Sequence, residues 1–207
     1  MLNLAKTINP KSKILIICPH PDDEVLGCCS ILHRYSSQCD VLCVNSSGFQ
    51  EPYEQCADTR IREFNDVMDA FGIKNHWIWR IFGPAPNLDQ IKANFDEYKS
   101  VTDFSQYSHI FIPSVYDSHV EHRYIADTLV PELLCDNNNP DTIICEYMVW
   151  GKTKVRPNAK IFVCPFVKRR ALKIYASRNQ KVLKDLSGLN LPFPRMYEYF
   201  IVNNIKQ

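Results

Sequence analysis

The chain of 207 residues has no apolar run long enough to cross a membrane, since a spanning helix needs about 20 consecutive apolar residues. Residues 1–11 also lack the hydrophobic core of a signal peptide, and we expect them to form a short cap before the first strand. An excess of charge of one sign is missing as well, because 24 basic residues balance 23 acidic ones. The sequence therefore predicts neither a transmembrane segment nor a nucleic-acid partner.

Two common motifs of glycine and cysteine are also absent. The first turn after a predicted strand has none of the Gly-x-Gly-x-x-Gly spacing that lets a pyrophosphate approach the backbone. The nine cysteines form no Cys-x-x-Cys pair and lie mostly in apolar segments, which predicts reduced thiols in a cytoplasmic protein. Cys18, Cys28 and Cys29 lie near the loop described below, and we expect them to be core residues rather than metal ligands.

What the sequence does contain is an alternation of strand-like and helix-like segments. Short apolar runs predict buried strands at residues 13–17, 41–44, 77–79, 110–112, 142–145 and 161–163. Apolar residues at helical spacing predict helices at residues 25–35, 57–71, 88–100, 122–134 and 165–184, and polar or Pro-rich segments predict loops at 83–86 and 136–140. This alternation predicts an α/β, Rossmann-like fold with a mainly parallel, twisted sheet flanked by helices, in a single domain spanning residues 1–207.

The most informative stretch is residues 18–24, with the sequence CPHPDDE, directly after the first predicted strand. Its two prolines prevent a strand or helix from continuing through it, so the loop is stiff. The loop holds one histidine and three acidic side chains: His20, Asp22, Asp23 and Glu24. Burial of these groups without a positive partner would be costly, which favours a divalent metal here. The alternative is that the carboxylates only satisfy the N–H groups of a helix N-terminus, and Glu24 could either do this or orient a ligand.

A second cluster follows the strand predicted at residues 110–112. Residues 117–123 read DSHVEHR, and His119 and His122 lie three positions apart, on one face if a helix begins here. Alone, this segment could be a solvated turn. In an open parallel sheet, however, the loops after both strands emerge at the carboxyl edge and can meet in one crevice. The two clusters together predict a metal site built from imidazoles and carboxylates at the carboxyl ends of the strands.

The residues of both loops resemble a known family. HPDDEVLGC at residues 20–28, followed by His119-x-x-His122, resembles the LmbE/PIG-L family of zinc-dependent N-acetylglucosamine deacetylases. R-x-x-E at residues 60–63 and ALxxYxS at residues 171–177 are similar to the family's second helix and C-terminal helix. The resemblance covers most of the chain, from the first predicted strand into the last predicted helix.

By this resemblance, His20, Asp23 and His122 are the metal ligands. The resemblance also makes Asp22 the general base and places His119 opposite the scissile amide. Zinc is the metal it implies, because zinc activates water at neutral pH and hydrolysis needs no redox chemistry. Two histidines and one carboxylate also suit Fe²⁺, which remains the alternative.

Further roles and two departures follow from the same comparison. The resemblance implies that Arg60 contacts sugar hydroxyls, and Asp117 is close enough in sequence to orient His119. Residues 120–121 are Val and Glu where the family usually has Pro and Asp, and residues 29–30 are Cys and Ser where it often has glycines. Neither departure removes a ligand, so we expect the chemistry to be retained and the shape of the pocket to differ.

The sequence therefore predicts a metal-dependent hydrolase that removes the acetyl group from an N-acetylated amino sugar, whether free, nucleotide-linked or lipid-linked. Such a reaction belongs to glycoconjugate or secondary-metabolite biosynthesis. An amidase acting on another acylated sugar conjugate is one alternative, and a non-catalytic sugar- or nucleotide-binding Rossmann-like module is another. The acidic first loop would repel phosphate, and Asp22 has no ligand role in the resemblance, so both observations favour an enzyme.

Two further segments concern partners. The sequence KRR at residues 168–170 predicts a solvated helix face, with a contact to a substrate phosphate as the alternative. The aromatic sequence MYEYF at residues 196–200 predicts an edge strand or a subunit contact rather than a sugar platform. Because the family's members often assemble, we expect this chain to form homo-oligomers.

Overall fold

The computed structural model of the protein describes residues 1–47, 50–83, 86–135, 139, 141–150, 155–187 and 196–204. The predicted loops at residues 83–86 and 136–140 lie largely outside these residues. None of the helices within the described ranges is both long and apolar enough to span a membrane.

The predicted strands are present with small changes at their ends. In chain order the strands are β1 (Leu2–Asn3), β2 (Ile14–Cys18), β3 (Cys39–Cys43), β4 (Asn75–Ile78), β5 (His109–Pro113), β6 (Ile143–Tyr147), β7 (Ala159–Phe162) and β8 (Tyr197–Asn204). The first eleven residues, predicted to be a cap, include the two-residue strand β1, which pairs with β7.

The helices alternate with these strands. They are α1 (Asp23–Arg34), α2 (Tyr53–Phe71), α3 (Leu88–Val101), α4 (Val120–Tyr124), α5 (Val130–Cys135), α6 (Pro165–Leu172) and α7 (Gln180–Ser187), and a π-helical turn, Ile125–Leu129, joins α4 to α5. Helix α2 ends at Gly72, whose φ of 72° lies in the left-handed region that glycine adopts without steric cost.

Within the described residues, the strands form one open sheet in the order β1-β7-β8-β6-β5-β2-β3-β4. Every pairing is parallel except the two made by β8, which is antiparallel to both β6 and β7. After β2 the chain builds one side of the sheet through β3 and β4, and it then crosses to β5 on the other side of β2. The carboxyl ends of β2 and β5 therefore border the point where the strand order reverses, which is where open α/β sheets bind ligands.

The core consists of two apolar layers, one on each face of the sheet. Alternate side chains of β2 enter opposite layers: Ile14 and Ile16 join the first layer, whereas Leu15 and Ile17 join the second. The first layer also contains the apolar faces of α1, α2, α6 and α7, and the second contains those of α3 and the helices after β5. Helices thus cover both faces of a mainly parallel sheet, which confirms the predicted α/β fold.

Two predictions for the last third of the chain are wrong. The predicted helix at residues 165–184 is broken into α6 and α7, because the Gln180 side chain donates hydrogen bonds to the carbonyls of Leu172 and Tyr175 and so stabilises a turn between them. The first of the two alternatives for the aromatic segment, an edge strand, is also wrong, since β8 lies between β6 and β7, and a subunit contact stays a prediction. Its exposed face carries Tyr197 and Tyr199, which are 40% and 45% exposed.

The prediction of a solvated basic face at residues 168–170 is also wrong for its first residue. Lys168 is 4% exposed, and its ammonium group donates to the carbonyl of Leu26 at 2.6 Å and to Glu198 Oε1 at 2.8 Å. The other oxygen of Glu198 accepts from the backbone N–H of Ser30 at 2.9 Å and from its hydroxyl. A buried lysine that is already paired in this way is not available to bind a substrate phosphate.

Candidate metal centre and active site

The loop after β2 directs an acidic side chain away from helix α1. Asp22 occupies the N-cap position of α1 with a φ of 107°, which is unusual for a residue other than glycine. Its carboxylate makes no capping hydrogen bond, so the alternative that these acidic groups only cap a helix does not hold for Asp22. The carboxylate contributes instead to the wall of a pocket.

The loop after β5 places two imidazoles beside the first loop. Helix α4 begins at Val120, so His119 lies at its N-cap position and His122 lies inside its single turn. The ring centroids of His119 and His122 are 4.8 Å apart, and those of His20 and His119 are 4.9 Å apart. The crevice that the sequence predicted between the two loops is therefore formed.

Three atoms of the predicted ligand set form a compact triangle. The distance from Asp23 Oδ2 is 3.3 Å to His20 Nδ1 and 3.1 Å to His122 Nε2, and the two nitrogens are 3.3 Å apart. In a tetrahedral zinc site with bond lengths of 2.0–2.1 Å, neighbouring ligand atoms are separated by about 3.3–3.4 Å. His20, Asp23 and His122 thus have the donor types and the spacing that a zinc ion requires.

A second combination of donors is also close enough to hold a metal. His20, His119 and His122 each offer a nitrogen, and these atoms lie within 4.8 Å of one another. Because this spacing is looser than the triangle that includes Asp23, we favour Asp23 as the third ligand. His119 is then a third imidazole beside the triangle rather than a member of it.

The electrostatics of the triangle favour a positive charge at its centre. Burial alone would lower the pKa of His122, but the carboxylates of Asp23 and Asp117 outweigh this effect and raise it to about 10. Burial would likewise raise the pKa of Asp23, yet His122 and His20 hold it well below its usual range. In the protein without a metal, a proton on His122 thus supplies part of the charge that a metal ion would supply. Metal binding should displace that proton.

Each histidine of the triangle contacts a buried carboxylate through its other ring nitrogen. His20 Nε2 lies 2.5 Å from Glu121 Oε2, and His122 Nδ1 lies 3.2 Å from Asp117 Oδ2. The contact with Glu121 fixes the proton on His20 Nε2 and leaves Nδ1 free to bind a metal, whereas His122 Nδ1 is at ion-pair distance from Asp117 but makes no hydrogen bond within the described residues. The sequence suggested that Asp117 orients His119, but the His119 ring is not its partner, since Asp117 accepts only the backbone N–H of that residue at 3.0 Å.

The carboxylate of Asp22 lies between two arginines. Arg178 Nε donates to Asp22 Oδ2 at 2.8 Å, and a terminal nitrogen of Arg60 lies 3.4 Å from the same oxygen. Burial raises the pKa of Asp22, and the charge of Arg60 only partly opposes this effect. The predicted role of Arg60 in contacting sugar hydroxyls is not supported, because its side chain is 3% exposed and also donates to the carbonyl of Pro21.

The remaining acidic residue of the first loop has a structural environment. Glu24 is fully buried and accepts two hydrogen bonds, one from the hydroxyl of Tyr175 and one from the backbone N–H of Asp22 at 3.1 Å. Burial raises the pKa of Glu24 to about 8. Among the described residues it makes no hydrogen bond to the triangle, and it lies in the first turn of α1, which is one of its two expected roles. It stabilises the unusual backbone at Asp22.

A pocket of about 370 Å³ opens beside the triangle. Its walls are formed by residues of both loops and of three other segments: His20, Asp22, Asp23, Ser47, Ser118, His119, Trp150 and Arg178. Sequence reasoning did not identify Ser47, Trp150 or Arg178. Each comes from a different loop, and no local motif marks any of them. The volume lies in the range of small-molecule sites.

His119 is the imidazole that faces this pocket without a carboxylate partner. Burial lowers its pKa to about 4, and the positive charges of His20 and His122 act in the same direction. Its Nδ1 is buried and accepts or donates no hydrogen bond within the described residues. At neutral pH His119 is therefore a neutral imidazole, which still offers one N–H donor.

The cysteines near the loop do not join the site. Cys18, Cys28 and Cys29 are buried in the apolar layer under α1, and burial raises the pKa of each thiol. The eight cysteines whose side chains the structure describes are all free. Because a thiol must lose its proton to bind a metal, these raised pKa values support the prediction that they are core residues.

Comparison with known proteins agrees with the geometry. The sequence profile of the GlcNAc-PI de-N-acetylase family (PIG-L) matches residues 15–132, which contain both loops of the site. No curated protein matches the chain with a significant score.

Several solved structures share the fold at low sequence identity. The N,N'-diacetylchitobiose deacetylase of Pyrococcus horikoshii, in complex with an inhibitor, superposes with a TM-score of 0.70 at 18% identity, over 94% of this chain and 84% of that one. A deacetylase of the teicoplanin biosynthetic pathway superposes with a TM-score of 0.65 at 14% identity, over 93% of this chain and 99% of that one. The 4-carboxy-2-hydroxymuconate hydratase GalB of Pseudomonas putida superposes with a TM-score of 0.64 at 13% identity, over 92% of this chain and 95% of that one. One of the three is a hydratase, so the fold alone does not define the reaction.

Proposed function

Because the chain belongs to the GlcNAc-PI de-N-acetylase (PIG-L) family, we propose that it is a zinc-dependent hydrolase that removes the acetyl group from an N-acetylated amino sugar. The observation that carries this proposal is the triangle of His20, Asp23 and His122. Two of its members, His20 and Asp23, line the same pocket as Asp22. Two structures with the same fold are deacetylases, which supports the choice of an amide substrate.

Zinc would be held by His20, Asp23 and His122, with Fe²⁺ as the alternative ion. When bound, the metal would supply Lewis-acid polarisation of a water molecule and of the acetyl carbonyl. The buried carboxylate of Glu121 would keep His20 in the tautomer that leaves Nδ1 free to bind it. The negative charge of Asp117, 3.2 Å from His122 Nδ1, would favour a proton on that nitrogen and so leave His122 Nε2 free.

Asp22 would serve as the general base. It lines the pocket and lies between the proposed ligands His20 and Asp23 in the same loop, and its raised pKa makes it a better proton acceptor than an exposed aspartate. The proton that it takes from the attacking water would return to the departing amine, so that acetate and a free amino sugar leave. Arg178 and Arg60 would hold the Asp22 carboxylate in position while it acts.

His119 would stabilise the oxygen on which negative charge develops. A neutral imidazole can do this through its N–H, and one such preorganised donor is worth about 3–4 kcal/mol in comparable sites. The alternative, in which His119 protonates the amine, needs an imidazolium, and the low pKa of His119 disfavours it.

The test is acetate release from free, nucleotide-linked and lipid-linked N-acetyl sugars by zinc-loaded protein, with bound metal quantified. Asp22→Asn preserves the size of the side chain between its arginines, and we expect it to keep the metal and lose about 100-fold or more in kcat. Asp66→Asn, an exposed change on α2, is the matched control and should behave like wild type.

The possible results separate the hypotheses. Bound metal without acetate release from any sugar would contradict a deacetylase and favour an amidase that removes a larger acyl group. Protein that binds no zinc or iron would contradict the metal site itself. Equal turnover by wild type and Asp22→Asn would remove Asp22 from the mechanism.

A further inference from the structure

A second cavity, of about 240 Å³, lies next to the pocket at the metal centre and shares none of its lining residues. The segment after β6 contributes to both, because Val149 lines the second cavity and the next residue, Trp150, lines the metal pocket. Helix α1, which begins in the HPDDE loop, adds Leu26 and Gly27 to the wall of the second cavity. We call it the Lys168 cavity, after the buried lysine in its wall.

One hydrogen-bond donor in the wall of the Lys168 cavity has no acceptor among the described residues. The ammonium group of Lys168 is 4% exposed and has three N–H groups, but it makes only two hydrogen bonds there, to the carbonyl of Leu26 and to Glu198 Oε1. Both acceptors also line the cavity. A buried N–H without an acceptor is costly, so the third N–H needs one from within the cavity, either from water or from a ligand.

The charges in the wall favour a neutral group as that acceptor. Lys168 and Glu198 are the charged residues among the described residues that line the cavity, and they pair with each other at 2.8 Å. The second oxygen of Glu198 accepts from the N–H and the hydroxyl of Ser30. A carboxylate or phosphate in the cavity would face Glu198 with no unpaired cation to balance it, whereas a carbonyl oxygen would only accept the third N–H.

The size and the remaining walls of the cavity favour a small, mainly apolar molecule. An apolar cavity of about 150 Å³ holds a benzene ring, and sites for drug-sized ligands begin at about 300 Å³. The Lys168 cavity lies between these volumes, and apolar side chains such as Val163 and Leu186 form much of its wall. A single ring with a short substituent that carries a carbonyl oxygen therefore matches both its size and its polarity.

Hydrogen bonds connect the wall of this cavity to the metal centre. The backbone N–H groups of Val149 and Trp150 both donate to Asp117 Oδ2 at 3.0 Å, and this oxygen lies 3.2 Å from Nδ1 of the proposed ligand His122. A metal ion bound to His122 would hold Asp117, and through it Val149, in one arrangement. A molecule that packs against Val149 would favour the same arrangement, so each occupant should strengthen the binding of the other by the same factor.

We propose that the Lys168 cavity is a second ligand site, which takes a neutral single-ring molecule with one hydrogen-bond acceptor and whose occupancy strengthens metal binding. The site itself is independent of the proposed function, since none of its lining residues belongs to the metal pocket. Its effect on the metal rests on the proposed metal centre.

The experiment uses acetophenone as the probe, together with toluene, which lacks the acceptor, and benzoate, which is charged. Binding is followed through the ¹H–¹⁵N amide signals of Gly27 and Tyr199, which line this cavity and not the metal pocket. Zinc-loaded wild type is compared with Leu186→Trp, which is designed to place a ring in the cavity, and with Val101→Trp, an exposed change on α3. Thermal unfolding of each protein identifies a folding defect.

We expect acetophenone to bind wild type and Val101→Trp with a Kd of about 1 mM or tighter, and to bind Leu186→Trp about tenfold more weakly or worse. Toluene should bind wild type about threefold to tenfold more weakly than acetophenone, because it leaves the Lys168 N–H unpaired, and benzoate should bind more weakly still. Equal affinity for acetophenone and toluene, or a preference for benzoate, would refute the role assigned to Lys168.

Two results would overturn the site itself. If acetophenone shifts neither amide signal of wild type, the cavity holds water only. If a stable Leu186→Trp protein binds acetophenone as wild type does, the probe occupies another place. Should Leu186→Trp be destabilised, the signals of Gly27 and Tyr199 in wild type still decide whether the cavity is occupied.

The effect on the metal is tested by repeating the acetophenone titration with metal-free protein. We expect the Kd to rise about fivefold, and competition with a chelator should show zinc bound more tightly by the same factor when acetophenone is present. Equal affinity in the two forms would contradict the effect on the metal and leave the site in place. Protein that binds no zinc would defeat the proposed metal centre, while the titration of metal-free protein would still decide the cavity.

Discussion

Replacement of Glu121 by Gln should weaken metal binding without touching a metal ligand. In wild type, Glu121 Oε2 lies 2.5 Å from His20 Nε2, and Oε1 accepts from Asn45 Nδ2 at 3.2 Å and from the backbone N–H of Asn87 at 3.1 Å. The carboxylate is fully buried, so water cannot replace any of these contacts. All three partners need an acceptor, and glutamine supplies only one oxygen.

Either orientation of the new amide has a cost. If its oxygen keeps accepting from Asn45 and Asn87, its NH₂ faces His20 Nε2, which must then be unprotonated. The proton of the neutral ring moves to Nδ1, and that nitrogen can no longer bind zinc. If the amide turns over, its NH₂ faces the N–H donors of Asn45 and Asn87, and these buried donors lose their acceptor. Leaving a buried donor without an acceptor costs about 1–3 kcal/mol of stability. We therefore expect the affinity for zinc to fall about 10–100-fold, or roughly 1.4–2.7 kcal/mol.

The measurement is competition for zinc with a chromophoric chelator at pH 7.5, accompanied by thermal unfolding of each protein. Glu97→Gln, an exposed change on α3, is the matched control and should bind zinc like wild type. The ¹⁵N spectrum of metal-free protein should show the His20 tautomer changed in Glu121→Gln. Zinc affinity within twofold of wild type, in a variant of normal stability, would refute the reasoning about the tautomer.

Three further predictions concern stability. Burial lowers the pKa of His109 from 6.5 to about 4, so its contribution to the free energy of unfolding, about 3 kcal/mol, is complete above pH 6.5 and is lost as the pH falls through 4. Urea titrations should therefore show that the free energy of unfolding of His109→Gln changes less between pH 7 and 4 than that of wild type. Gly27→Ala should cost about 1–3 kcal/mol in the same assay, because an added Cβ would lie 2.2 Å from the ring of Tyr147; an unchanged midpoint would contradict this packing. Lys168→Met should lower the free energy of unfolding by about 3–5 kcal/mol, because it leaves the buried Glu198 carboxylate without its cation. The double variant with Glu198→Gln should recover much of this loss, whereas additive losses would argue against a coupled pair.

The fold and the centre of the site could be predicted because local patterns encode them. An apolar run that becomes β2 ends in the HPDDE loop, and a second run that becomes β5 ends in the loop with His119 and His122. Strands β2 and β5 are parallel neighbours, so their loops had to emerge side by side. That these residues meet at the ends of β2 and β5 could therefore be predicted from their spacing and from the family resemblance.

The interruption between α6 and α7 and the burial of Lys168, both in the last third of the chain, could not be predicted in this way. Residues 165–184 have helical spacing and no internal Gly or Pro, yet the chain turns after Leu172. The turn is stabilised by hydrogen bonds from the Gln180 side chain and by the buried Tyr175, whose hydroxyl contacts Glu24 on α1, 151 positions away in the sequence. Lys168 is buried for the same reason, because its partner Glu198 arrives on a distant strand.

The sequence by itself determined the alternation of strands and helices, the position of the two loops and the identity of the candidate ligands. Only the tertiary structure decided how those ligands are held and what else faces the pocket. It pairs Glu121 with His20 across 101 positions and Arg178 with Asp22 across 156, and it buries Arg60, which sequence reasoning had placed in the pocket. The physical reason is that local periodicity records which face of an element is apolar, whereas contacts between distant polar groups depend on how the elements pack together.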